Sequence, residues 1–160
     1  MKTKSLLFVV IAVLLGFTGC GVVDDLTAQL GLGKMTATVN GSSFTAISGC
    51  VATRVPAAGG AAEGYSLAAV GTVSGYPQIT LSLYSTTTGG ITLTSVAGVG
   101  QPFAVYVHDA STQGVSNAGT ITISEINYAK DGMVKGTFSF NTATGGFAIT
   151  SGSFEAKFVN

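Results

Sequence analysis

The sequence predicts an all-β fold: one antiparallel β-sandwich of about nine strands, with a flattened, lipocalin-like β-barrel as the alternative. Three observations lead there. From Met35 onward apolar residues recur at every second position, the period of half-buried strands, with almost no helical spacing. Gly, Pro, Asn and Asp punctuate these runs at short intervals. Charged residues make up 9% of the chain, against about 25% in an ordinary soluble domain, and Gly, Ser, Thr, Ala and Val take their place. Residues 35–160 are enough for a single core, and no linker divides them.

The first pair of strands is the best specified. An Asn40-Gly41 turn pairs Val39 with Ser42, Ala37 with Phe44 and Met35 with Ala46, leaving a mostly apolar set on one face. Ser48 to Gly64, rich in Gly, Ala and Pro and holding Cys50 and Arg54, reads as a loop. Strands follow at Tyr65 to Val73, Gln78 to Tyr84, Gly90 to Thr94 and Pro102 to His108. Their expected inward residues are Tyr65, Leu67, Ile79, Leu81, Leu83, Ile91, Leu93, Phe103, Val105 and Val107, and Asp109 to Ala118 reads as a second loop. In Thr120 to Tyr128 the parity of Ile121 and Ile123 breaks before Ile126, which predicts a bulge near Ser124 and Glu125. Asp131-Gly132 is a turn leading into Met133 to Phe140. Phe147 and Ile149 disagree in parity with Phe154, Ala156 and Phe158, so Gly152 marks another bulge.

Ahead of this domain, Lys2 and Lys4 precede an apolar stretch from Ser5 to Phe17, followed by Thr18, Gly19 and Cys20. That is the layout of a secretory signal, and the apolar run is shorter than the ~20 residues of a membrane-spanning helix. Residues 1–19 are therefore expected to be cleaved. Phe17-Thr18-Gly19-Cys20 resembles the lipobox of bacterial lipoproteins, with Phe17 where Leu is commoner. The resemblance implies a diacylglycerol on Cys20; the alternative is an ordinary secreted protein with a free Cys20. At ~0.8 kcal/mol per buried methylene, two chains suffice for stable anchoring. Residues 20–34 then read as lipidated cysteine and tether, in which Val22, Val23, Leu26 and Leu30 have rough helical spacing beside the capping candidates Asp24 and Asp25.

Val39-Asn40-Gly41 with Phe44, Gly119-Thr120-Ile121-Thr122-Ile123, Gly136-Thr137-Phe138-Ser139-Phe140 and Gly152-Ser153-Phe154, in that order behind a lipobox, resemble small Bacteroidetes-type lipoproteins of unknown function. The likeness spans Met35 to Phe158. It implies an all-β fold and an outer-membrane lipoprotein on the periplasmic face or the cell surface, and it supplies no catalytic residues. Asp24-Asp25 is similar to the acidic surface-export signals of that phylum, although it starts later after the cysteine.

The side chains suited to chemistry are few. His108 is the sole histidine; alternation places it on the outward face with Tyr106 and sends Asp109 to the opposite side, so the pair reads as a solvated strand end rather than a catalytic dyad. A zinc site lacks ligands, and no cofactor is implied. With Cys20 lipidated, Cys50 has no disulfide partner and reads as a buried apolar residue. No serine sits in a G-x-S-x-G elbow, and Glu125, Glu155, Asp109 and Asp131 are not placed as an acid–base pair.

Tyr76, Tyr84, Tyr106 and Tyr128 are candidates for an aromatic platform, of which Tyr76 and Tyr106, with His108, are the weak ligand-contact candidates; Asn40, Gly41, Asp131 and Gly132 are structural turns. After Cys20 five basic residues stand against seven acidic ones, with no basic patch, which argues against nucleic acid. The expected function is a membrane-anchored, non-enzymatic binding or envelope-structural module whose partner is an envelope protein or glycan. A carrier of a small apolar ligand is the alternative, and a hydrolase is third.

Overall fold

The computed structural model describes residues 33–47, 49–72, 74–95 and 100–159. The expected signal, the expected lipidation at Cys20 and the expected tether up to residue 32 lie outside these residues. Ten strands run in chain order: β1 (Lys34–Val39), β2 (Ser42–Thr45), β3 (Cys50–Val55), β4 (Gly64–Val70), β5 (Gln78–Leu83), β6 (Gly89–Thr92), β7 (Phe103–Val107), β8 (Gln113–Ile126), β9 (Met133–Thr142) and β10 (Ala148–Phe158). Among the described residues no helix is long and apolar enough to cross a membrane. Gly33 and Lys34, expected in the tether, already belong to the sheet: Gly33 forms a bridge with Cys50.

The strands close into a barrel, which corrects the expected sandwich. β3, β4, β5, β7 and β8 pair in succession, β9 pairs with both β8 and β10, and β10 returns to β3 in parallel through Lys157↔Val51 and Phe158↔Ala52. Nothing in a period-two pattern separates two stacked sheets from one closed sheet, since both have one buried and one outer face. Two strands are long enough to serve two partners along one edge. β10 meets β1 over its first part and β3 at its end; β8 meets β7 at its start and β6 further on.

The interior is filled by side chains from every strand of the ring. Tyr65, Leu67, Ile79, Leu81, Ala104, Ile121, Val134, Phe158 and Cys50 are all below 1% exposed. The Asn40-Gly41 hairpin has the expected pairing, Val39↔Ser42 and Ala37↔Phe44, and Ala46 donates its N–H to the Met35 carbonyl at 2.9 Å. Both turn residues have positive φ, 47° and 84°, the geometry that Asn-Gly tolerates. The expected bulges are present as register shifts between Ile123 and Glu125 and between Ile149 and Gly152, the latter with Ser151 at φ 51°.

Three segments depart from expectation. Cys50–Val55, read as loop, is β3, because Cys50 and Ala52 are the inward residues and small side chains leave a weak apolar signal. The loop after His108 shrinks to a tight turn, and β8 begins at Gln113 with Gly114 and Ser116 buried. In β7 the parity is inverted: Ala104 and Tyr106 point into the core while Phe103, Val105 and Val107 face outward. Tyr106 and His108 therefore do not share an outward face, since Tyr106 is buried and His108 exposed beyond the strand end.

The glycine–phenylalanine motifs of the sequence have a physical basis in β9 and β10. Phe138 pairs across the ladder with Gly152, and Phe154 pairs with Gly136. A Cβ at Gly152 would sit 2.6 Å from the Phe138 ring, and one at Gly136 would sit 2.7 Å from the Phe154 ring tip. Each ring thus lies on a bare backbone, an arrangement that covers strand glycines from solvent.

Candidate functional site

At the hairpin end of the barrel four segments converge: the β1–β2 turn, the chain before β5, the end of β7 and the chain before β10. They enclose a groove of about 290 Å³ lined by Val39, Asn40, Ser42, Ser43, Phe44, Pro77, Tyr106, His108 and Phe147. None of these side chains is a carboxylate, lysine or arginine.

The floor is aromatic. Tyr106 and Phe147 meet edge to face with centroids 4.8 Å apart, and the His108 ring lies 5.6 Å from Phe147 at 31°. Phe147 is fixed by its own loop: its N–H donates to the Thr142 hydroxyl at 3.0 Å, its carbonyl accepts from the Thr142 N–H, and that hydroxyl donates to the Thr144 carbonyl. Tyr106 Oη lies 3.4 Å from His108 Nδ1, and burial pushes the phenol pKa up from its usual value. Asn40 ties the turn to the start of β10, accepting the Ala148 N–H on Oδ1 at 2.8 Å. Ser42 and Ser43 are exposed at the rim.

Of the three candidate contact residues, the structure brings Tyr106 and His108 together and leaves Tyr76 outside the lining. Tyr76 is 36% exposed, and its carbonyl accepts the Thr72 hydroxyl; the neighbouring Pro77 supplies the wall instead. Asn40 has a place in the groove as well as in the turn. Phe147, Phe44, Pro77 and the two serines were not singled out from the sequence. The signal for Phe147 was the parity break after Gly145-Gly146, which a bulge at Gly152 explained without asking where the ring goes.

Several other titratable groups are engaged away from the groove. Asp109 accepts from the Ser111 N–H, the Ser111 hydroxyl and the Thr112 N–H at 2.7–2.9 Å. Those bonds lower its pKa to about 2, so its carboxylate belongs to the turn rather than to His108. Cys50 is fully buried, and burial pushes its thiol up to about 12, the opposite of an activated nucleophile. Glu125 pairs with Lys135 and Asp131 with Lys157, each at 3.2 Å on the outer surface. Gly132, beside Asp131, is locked in its turn, since a Cβ there would meet the Asn127 carbonyl at 2.1 Å. At the other end of the barrel Tyr128 donates its hydroxyl to the Gly64 carbonyl, and Arg54 lies 5.8 Å from the Tyr128 ring centroid. Among the described residues no three His, Cys, Asp or Glu side chains gather as a metal site.

The chain has no significant match among protein-family models, curated proteins or solved structures. The groove must therefore be read on its own chemistry. An uncharged aromatic floor with a hydroxyl and imidazole rim suits a neutral ligand that has one apolar face and hydrogen-bonding edges. The volume is near the lower limit of about 300 Å³ for small-molecule sites, which restricts the occupant to about one ring.

Proposed function

We infer that this chain is a lipid-anchored envelope protein whose barrel is a non-enzymatic binding module, with the hairpin-end groove as its site and a neutral sugar ring of an envelope glycan as its ligand. The observation that carries the binding reading is the aromatic floor of Tyr106, Phe147 and His108 in a groove without carboxylate, lysine or arginine side chains. An apolar sugar face stacks on such rings, and Ser42, Ser43 and His108 offer donors and acceptors to its hydroxyls. The lipid anchor is supported by the Phe17–Cys20 motif and the apolar run before it. A module is favoured over a carrier because side chains occupy the barrel interior, where a carried lipid would need space.

Two measurements test the reading separately. Labelled palmitate should enter the wild-type protein and not the Cys20→Ala variant; equal labelling removes the anchor. Titration with neutral mono- and oligosaccharides should shift NMR signals of Tyr106, His108 and Phe147, and Phe147→Ala should lose that response. Shifts confined to another surface, or none across the panel, remove the glycan site.

A further inference from the structure

The groove has room for about one ring, and a glycan is a chain of rings, so the neighbours of a seated sugar must rest on the surface where the groove opens. One residue beside that opening has the character of a second platform. Among the described residues the exposed large hydrophobic side chains are Tyr76 and Val159, and Tyr76 is the aromatic one. Val159 stands just beyond the end of β10, whereas Tyr76 directly precedes Pro77, a wall of the groove. Consecutive Cα atoms lie no more than about 3.8 Å apart.

The chain between β4 and β5 presents the Tyr76 ring on an ordered backbone. Gly71 donates its N–H to the Pro77 carbonyl at 2.7 Å, Gly75 donates its own to the Thr72 carbonyl at 3.1 Å, and the Tyr76 carbonyl accepts the Thr72 hydroxyl. A Cβ at Gly71 would lie 3.0 Å from the Phe44 ring and 3.3 Å from Pro77 Cδ, so the backbone there packs directly against two residues that line the groove. The β5–β7 ladder ends with Gln78 opposite Val107. One step further along both chains come Pro77 and His108, which line the groove together, and the next step brings Tyr76 to the outer lip. An exposed ring whose backbone is already ordered stacks on a ligand at small entropic cost. We propose that Tyr76 is a second sugar platform, so that the site takes a linear neutral glycan across at least two consecutive rings, one seated on Tyr106, Phe147 and His108 and the next stacked on Tyr76 beyond Pro77. This rests on the groove being a sugar site and extends it from a ring to a chain.

Paired titrations of the full-length protein test it, with glucose, galactose, mannose and N-acetylglucosamine each set beside its own homodisaccharide. The disaccharide of the sugar that binds should bind about three- to tenfold more tightly than the monosaccharide, the worth of one further stacked ring. Only the disaccharide should move the NMR signals of the Tyr76 ring. Tyr76→Ala should remove that gain, and Tyr76→Phe should keep it, because the ring and not the hydroxyl carries the contact. Phe147→Ala should lose both ligands. A Tyr76→Ala protein that keeps the disaccharide gain overturns the second platform and leaves the groove reading standing. So does a wild-type Tyr76 ring that stays silent while Phe147 responds to the disaccharide. No response of Phe147 to any sugar removes the groove reading and the second platform with it.

Discussion

The β8–β9–β10 meander and the β3–β4–β5–β7 wall are parts of one ring built by different means. The meander strands are 14, 10 and 11 residues long and the wall strands 5 to 7. Inward, the meander presents Ile and Phe, with Phe138 and Phe154 laid over glycines; the wall presents Leu, Ile and small residues such as Ala52 and Cys50. Outward, the meander is polar, whereas in the wall β7 turns Phe103, Val105 and Val107 outward beside the Gln78, Thr80 and Ser82 of β5. The difference teaches that a strand's pattern marks its inner face only where the outer face is wet. Where both faces are apolar, alternation carries no direction.

The contrast predicts where the domain is most sensitive. Phe138→Ala, which uncovers Gly152 and opens the core, should cost about 4 kcal/mol in urea unfolding, whereas Leu81→Ala in the wall should cost about 3 kcal/mol. A loss below about 1 kcal/mol for Phe138→Ala would mean that the ring-on-glycine pairs contribute little. Gly152→Ala should cost about 1–3 kcal/mol by forcing the Phe138 ring away, and much less in a Phe138→Ala background. Additive losses in that double-mutant cycle would sink the steric account.

Two buried hydroxyls sharpen the comparison within the ring. Ser116 accepts the Ala104 N–H at 3.1 Å and donates to the Thr94 carbonyl at 3.0 Å, joining the start of the meander to the wall. Ser116→Ala should cost about 1–3 kcal/mol by orphaning those groups. Tyr65 Oη is buried without a hydrogen-bond partner, so Tyr65→Phe should leave stability unchanged or raise it.

The smallest effects lie on the surface. The turn bonds hold the Asp109 carboxyl at about 2, below the 3.8 of an ordinary aspartate, so its contribution is present above about pH 4 and is lost as pH falls towards 2. Asp109→Asn should flatten the wild-type loss of stability over that window; an unchanged acid limb would show that the turn bonds are not formed in solution. Lys135→Met should cost only a little stability by breaking the pair with Glu125, and the difference should vanish in molar salt.

The sequence revealed β9, β10 and the second half of β8, with the bulges near Glu125 and Gly152, because long strands with polar outer faces leave an unambiguous period; the first half of β8 was read as loop, and its register shift between Ser116 and Ala118 was missed. Asn40-Gly41 revealed a register, since its turn chemistry admits one geometry. β3 was hidden because Cys50 and Ala52 are too small to stand out from a Gly/Ala-rich stretch. The β7 parity was misread because Phe103, Val105 and Val107 outweigh Ala104 and Tyr106 in bulk while facing outward. The site was half legible: Tyr106 and His108 drew notice by type, but Phe147 and Pro77 reach the groove only through ring closure, a long-range event that no local window contains.

β1 enters the barrel at Gly33, lies between β2 and β10, and runs lengthwise towards the groove. Its ladder bonds are perpendicular to the strand. A pull on the chain at Gly33, directed away from the groove, therefore loads those bonds together in shear instead of peeling them one at a time, which makes Gly33 a mechanically strong place from which to hold the domain.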